Sequence, residues 1–409
     1  IMIRDSRIAA AVLAVFCAAF LVPGLLFADG YRNPPEGAQA IGAFGGHRAF
    51  ADDANATIHN AASLVDLEDS MIQLNVLGGY GKNEFETMGG AVSDETEDDV
   101  FAIPGFSAAI PLQPGKTALG ISAYVPFGRS VDWGRDDFFA QNGVPYYGQM
   151  TVLDLTPNFA LRLNKALSVS IGADLYTGEV EQRMLLVGPA AQALGLPSGL
   201  GSRLTADGSA LGCNAAVAWN LTGSQRLVAT LRSPFAIDYS GENRVDQVGT
   251  LAITGTIDYP TIAALAYGIE LTDTFRIEAD VEWLEFSTYQ ELVIEDQFGT
   301  TTISPQKLDD TWTAGLGLEW DFLPQWTLRS GFMHLENPTP DEAYSPLGPD
   351  EDQEVVSVGL GFAAGRHSVD AAYALGLFDG RDISGSANSP DGAYDYESQL
   401  LSLSYGCKF

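Results

Sequence analysis

The stretch Phe275-Arg276-Ile277-Glu278-Ala279-Asp280-Val281-Glu282-Trp283 decides the fold. Its odd-numbered residues are all apolar and its even-numbered residues are all charged. A period of two is the period of a β-strand, whose successive side chains point to opposite faces. Facing four charges toward lipid would cost up to about 2–4 kcal/mol each near a bilayer midplane, less for acids and near the interfaces. The odd residues therefore face lipid and the even ones a polar interior. The same register repeats in Trp312, Ala314, Leu316, Leu318 and Trp320, with Thr313, Gly315, Gly317 and Glu319 inward, and again in Val369, Ala371, Tyr373, Leu375 and Leu377. A β-sandwich would also alternate, but its apolar face would pack on a second sheet.

Working outward, turn signals set the strand count. Short ones fall at Gln113–Lys116, Asn164-Lys165, Thr222–Ser224, Thr272-Asp273, Asp321–Gln325 and Gly365-Arg366. Long polar connections alternate with them at about 81–97, 131–149, 187–203, 241–248, 297–301, 338–350 and 380–394. This predicts an all-β, transmembrane antiparallel β-barrel of about 14 strands, with short periplasmic turns and long outer loops. Trp312, Trp320, Trp326 and Tyr405, near strand ends, suit interfacial aromatic girdles. The chain ends on an alternating strand in which Leu403, Tyr405, Cys407 and Phe409 share a face. A terminal phenylalanine there resembles the signal read by the bacterial barrel-assembly machinery, so that machinery and outer-membrane lipid are expected partners of a monomeric barrel.

Residues 1–28 read as a secretory signal peptide. Arg4 and Arg7 precede an apolar stretch from Ile8 to Phe27, broken by Pro23-Gly24, with cleavage expected after Ala28. Beyond it, no run of about 20 apolar residues offers a spanning helix. Hydrophobic residues make up 46% of the 409 and charged ones only 18%, yet the net charge is −32. A surface that acidic repels phosphate and argues against nucleic acid. The acids concentrate in loops such as Asp94-Glu95-Thr96-Glu97-Asp98-Asp99 and Asp350-Glu351-Asp352, and no spacing matches a calcium loop. Cys213 and Cys407, which lie beyond the leader, fall in strand-like segments, where one disulfide is possible and none is implied. No Cys/His cluster has metal-ligand spacing, and no cofactor is expected. The four histidines (His47, His59, His334 and His367) sit in no recognisable nucleophile motif, so no catalytic residue is assigned.

Residues 29–69, rich in Gly, Ala and short polar residues, precede the first strand at about 70. A 14-strand barrel has an interior that such a segment could fill as a plug, with 70–409 forming the barrel. Here the chain resembles the FadL/TodX family of outer-membrane transporters for long-chain fatty acids and other hydrophobic compounds. The resemblance begins at Gly42-Ala43-Phe44-Gly45-Gly46, runs through Ala51-Asp52-Asp53-Ala54-Asn55-Ala56-Thr57, and reaches His59-Asn60-Ala61-Ala62-Ser63-Leu64, where Ala61 stands in place of the family's proline. It continues at Pro104-Gly105-Phe106, at Gly120 through Tyr124-Val125-Pro126-Phe127-Gly128, at Pro157–Ala160, at Thr327–Phe332 and at Ser345–Asp350.

The resemblance implies a hydrophobic ligand, capture between outer loops, an apolar pocket above the plug, and sideways release through a gap in the wall. For capture, the candidates are Leu185, Leu186, Val187, Leu194 and Leu196, joined by Phe138, Phe139, Tyr146 and Tyr147. An apolar patch in an exposed loop marks a binding surface. For the gap they are Pro126 and Gly128, which interrupt a strand, with Asn60 and Ala61 beside them by family analogy. Inward arginines Arg226, Arg232, Arg276 and Arg329 could meet a ligand carboxylate, or could simply brace the lumen against inward acids. A general diffusion porin and a surface adhesion barrel are the alternative functions. The first predicts an open lumen.

Overall fold

In the computed structural model, residues 30–97, 99–193 and 195–409 are described; the expected signal peptide lies outside them. The chain forms a closed antiparallel barrel of 14 strands. They are β1 (Met71–Thr87), β2 (Asp99–Gln113), β3 (Thr117–Asp132), β4 (Tyr147–Arg162), β5 (Leu167–Leu186) and β6 (Leu200–Asn220). Four broken strands follow: β7 (Gln225–Arg232 and Phe235–Val245), β8 (Gly249–Tyr259 and Ile262–Thr272), β9 (Phe275–Leu284 and Glu291–Asp296) and β10 (Thr301–Pro305 and Thr311–Leu323). The last four are β11 (Trp326–Leu335), β12 (Gln353–Ala364), β13 (His367–Leu377) and β14 (Gly392–Lys408). β1 and β14 close the ring in register from Met71↔Lys408 to Thr87↔Gly392, which leaves no free edge to aggregate.

The alternation behaves as the sequence predicts. Glu278, Asp280 and Glu282 are buried inside, whereas Val281, Trp312, Leu316, Trp320, Val369, Tyr373 and Leu403 are exposed on the outer face. A continuous apolar outer face of this extent belongs in a bilayer. Two expected long connections are tight hairpins instead. The ladder runs to Val245↔Gly249 and to Glu295↔Thr301, so 241–248 and 297–301 are mostly strand and turn. Polar strand ends that rise above the bilayer look like loops by composition, because nothing apolar marks their outer face.

The N-terminal segment lies inside the barrel. It carries helices α1 (Ala38–Gly42) and α2 (Ala56–His59) and a 3-10 turn, Ala61–Asp66. Its docking is fixed by the inward acids of β9. The Glu278 carboxylate accepts the backbone N–H groups of Arg48, Ala49 and Phe50. Arg48 reaches Asp280 at 3.6 Å and Glu282 at 2.5 Å, and Arg32 reaches Glu282 at 3.0 Å. Breaking such a buried ion pair from one side typically costs about 3–5 kcal/mol. Next to this, backbone meets backbone. A Cβ on Gly46 would come within 2.4 Å of the Gly317 nitrogen, and one on Gly45 within 2.7 Å of the Gly315 Cα. The Gly-rich stretch 42–46 is glycine because no side chain fits between plug and wall.

Candidate ligand cavity and wall breaks

Strand β3 starts as an ordinary strand, with Ala118, Gly120, Ser122 and Tyr124 inward. It pairs with β4 through Tyr124↔Asp154, then resumes at Phe127↔Val152, so one extra residue is accommodated at Val125-Pro126. A bulge of this kind reverses the facing of every later residue. Phe127, Arg129 and Val131 point inward beyond it. On its other side, the β2–β3 ladder ends at Phe106↔Ala123. The upper half of β3 therefore has no sheet partner in β2.

A strap formed by residues 30–33 takes up the freed groups. The Gly128 N–H donates to the Tyr31 carbonyl (3.0 Å), and the Asn33 N–H to the Pro126 carbonyl (2.9 Å). The Asn33 side-chain amide donates to the Val125 carbonyl (2.8 Å). The Arg129 guanidinium donates to the Gly30 carbonyl.

Beside this strap an aromatic floor crosses the lumen. Tyr176, Phe235 and Tyr259 stack with centroids 3.6 and 4.5 Å apart, and Tyr31 meets Phe127, Tyr259, Phe286 and Tyr289 at 5.2–6.4 Å. On one side of it lies a cavity of about 740 Å³, with walls that include Met150, Val180, Leu204, Ile253, Ile257 and Leu292. That is the size range of small-molecule pockets, and its mix of apolar wall with few charges is theirs too. Arg129 is the one cationic side chain among its lining residues; it is buried, and its Nε has no hydrogen-bond partner among the described residues. On the other side of the floor, a cavity of about 80 Å³ is lined by Asn60, Ala61, Tyr124, Pro126 and Arg232.

The predicted gap residues thus come together: Pro126 forms the bulge, Gly128 bonds the strap, and Asn60 and Ala61 share a cavity with Pro126. Asn60 is fixed by its amide, which donates to the Arg48 carbonyl (3.0 Å) and the Ser63 hydroxyl (2.6 Å). The four predicted arginines are all engaged with acids: Arg226 with Asp66, Arg232 with Asp154 and Asp174, Arg276 with Asp52 and Glu319, Arg329 with Glu319 and Asp370. None of them lines the 740 Å³ cavity.

Of the loop residues, Phe139, Tyr146, Leu185 and Leu186 are buried, and Phe138, Tyr147, Val187 and Leu196 are half-buried; Leu194 lies outside the described residues. Phe138 and Phe139 pack on Phe85 and Trp133 at 4.5–5.3 Å, building a cap. The same loop meets the cavity through Gly143, Val144 and Pro145.

Asp350, in the loop after β11, ties that loop to the strap. Its carboxylate accepts the Thr339 hydroxyl (3.1 Å) and the Gly30 N–H and lies near Arg129. Burial raises its pKa from 3.8 to about 6, against the opposing pull of Arg129. A carboxyl whose folded pKa is raised contributes stability that is present at low pH and lost as pH rises through the folded value. Opening of this loop should therefore be about tenfold rarer at pH 5 than at pH 8, measured by hydrogen exchange corrected for intrinsic rates. Asp350→Asn should abolish the difference. An unchanged pH dependence in that variant would assign it elsewhere.

Comparison with known proteins agrees with this geometry. Residues 27–409 match the family model "Outer membrane protein transport protein (OMPP1/FadL/TodX)". The long-chain fatty acid transport protein of Escherichia coli O6:H1 is 22% identical over 450 residues, covering 97% of both chains, and that of Salmonella typhi is 22% identical over 90% of both. Among solved structures, a Pseudomonas aeruginosa FadL homologue superposes with a TM-score of 0.84 at 19% identity, covering 93% of this chain and 100% of the other. The P. putida toluene transporter TodX gives 0.72 at 15% identity, covering 92% and 99%. The chain belongs to the FadL/TodX family of bacterial outer-membrane proteins that transport hydrophobic compounds.

Proposed function

We infer that this barrel carries an amphiphile with an apolar chain and one anionic head group, the class to which long-chain fatty acids belong. The observation that carries the reading is Arg129. A cation in a largely apolar cavity is costly unless paired, and Arg129 is the cationic side chain among the cavity's lining residues, suited to a ligand carboxylate. Capture falls to the loop layer built on Phe138, Phe139, Tyr146, Tyr147 and Leu185–Val187, and the 740 Å³ cavity holds the chain. Release occurs sideways where β3 leaves β2, beside Pro126 and Gly128, once the strap moves. The terminal Phe409, whose N–H donates to the Ser70 carbonyl (2.9 Å) at the closing seam, is the end the assembly machinery would read. The closed ring functions as a monomer.

Binding by detergent-solubilised protein tests the reading. Arg129→Leu should weaken binding of a long-chain fatty acid by about tenfold or more, because a hydrogen bond to a charged group contributes about 1.5–3 kcal/mol. Binding of the corresponding methyl ester should be unchanged. Equal losses for acid and ester would show that Arg129 shapes the cavity rather than reading the head group.

A further inference from the structure

The wall has a second break, at the level of the large cavity. Strands β8 and β9 pair from Ile262↔Leu284 downward and again at Ile253–Gly255 with Ile294–Asp296. Between these stretches, among the described residues, the wall is bonded by the Glu285 N–H to the Thr261 carbonyl (3.0 Å) and the Thr261 hydroxyl to the Glu285 carboxylate (2.6 Å). Residues 256–260 of β8 have no ladder with 286–293, where the chain coils into a 3-10 turn, Phe286–Thr288, that satisfies its own backbone. The Asp258 carbonyl is taken instead by the Tyr31 hydroxyl of the strap (2.9 Å). Both strands of the β7–β8 hairpin carry a proline at this height, Pro234 and Pro260, between their two segments. Proline cannot donate to a ladder, so the break is written into the sequence.

Side chains alone close the wall here. Ile257, Tyr289 and Leu292 line the 740 Å³ cavity. The same three pack with Leu284, Phe286 and Leu308 into one cluster. Trp283 and the exposed Trp312 form a cross-strand pair just below it, which sets the break at the outer aromatic girdle, where acyl chains meet head groups. A ladder opens only by breaking several hydrogen bonds, whereas an apolar cluster opens when side chains change rotamer, a ps–ns event for exposed side chains and a slower one when packed.

We propose that this break is an entry portal, through which an apolar ligand already dissolved in the outer leaflet passes directly into the cavity without visiting the loops. Asp238 and Asp258 flank its outer rim, and the Thr256 hydroxyl bonds to Asp238 (2.8 Å). That acidic rim favours the protonated form of an acid over its carboxylate during passage. The portal rests on the reading of the cavity as the ligand site.

The test uses full-length protein in vesicles, with Cys213→Ser and Cys407→Ser, and follows transfer of a pyrene-labelled long-chain fatty acid from the bilayer. Ile257→Cys and Leu292→Cys are bridged by a bis-methanethiosulfonate linker, each cysteine thiolate displacing methanesulfinate to form a reducible disulfide, with bridging quantified by mass spectrometry. Bridging should slow association about tenfold relative to the same variant after reduction, and reduction should restore the rate. Tyr289→Ala, without the bridge, should speed association. Parental rates in both variants overturn the portal while leaving the cavity intact. Failure of the unbridged protein to bind the probe at all overturns the cavity reading and the portal with it.

Discussion

Deleting residues 30–66 should leave a barrel that folds and inserts, with a single-channel conductance about an order of magnitude above that of the intact protein. A 14-strand ring falls between barrels filled by their own side chains and open porins, and the plug is what occupies the difference. The wall does not depend on it: the 14 strands close through the β1–β14 ladder, which the deletion spares. The buried acids Glu278, Asp280 and Glu282, left without Arg32, Arg48 and the plug's N–H groups, would face water in the emptied lumen and hydrate. Planar-bilayer recording measures the first outcome, and the heat-dependent gel mobility of folded barrels the second. Conductance equal to that of the parent would mean that something other than residues 30–66 seals the pore.

Replacing Pro126 by Thr and Gly128 by Val should cut uptake about tenfold with surface expression unchanged, because threonine and valine favour regular strand over a bulge. The mechanism is local. A β3 without its extra residue would carry its pairing with β2 past Ala123, narrow the proposed exit, and lose the bonds that now go to Tyr31 and Asn33. The valine is tight: its Cβ would lie 3.2 Å from the Asn33 amide nitrogen, so the Asn33 side chain must give way. Affinity should hold only if the ladder change leaves Arg129 inward, so the Kd for a fatty acid is the essential control. Uptake at the parental rate with that Kd intact would favour a path straight down past the plug.

What was legible in the sequence follows from period and charge. The strand Phe275–Trp283 announces its own register because burying acids against lipid is so costly, and the closing strand does the same with smaller residues. The strand count came from short turns, which proline, glycine and asparagine mark clearly. Arg129 was not legible. Read by the alternation of Ala118, Gly120 and Ser122, position 129 faces lipid, and only the extra residue at Val125-Pro126 turns it inward. Pro126 itself signalled a break, but one sequence does not say how many residues a break inserts. For the loop residues, composition shows that Phe139 and Leu185 are apolar, whereas packing in one cluster with Trp133, Phe85 and Tyr394 decides that they are buried. The arginines picked from the alternation point inward as expected, and their acid partners come from strands and plug far apart in the chain.

The contacts that seat the plug also order events during biogenesis. The segment that must enter the lumen is made first, yet part of its seat is made last: the Ala38 N–H donates to Ser404 (2.8 Å), Gln39 donates to Asp370 (3.4 Å), and the Phe44 N–H donates to Ser357 (3.3 Å). Ser404 in turn donates to Asn75 of β1 (2.6 Å), across the closing seam. Until the final strand has joined the first, the plug has no complete seat. Its docking therefore certifies that the ring closed in the right register: a slip of one residue at the seam would turn Ser404 outward and leave the pore unsealed.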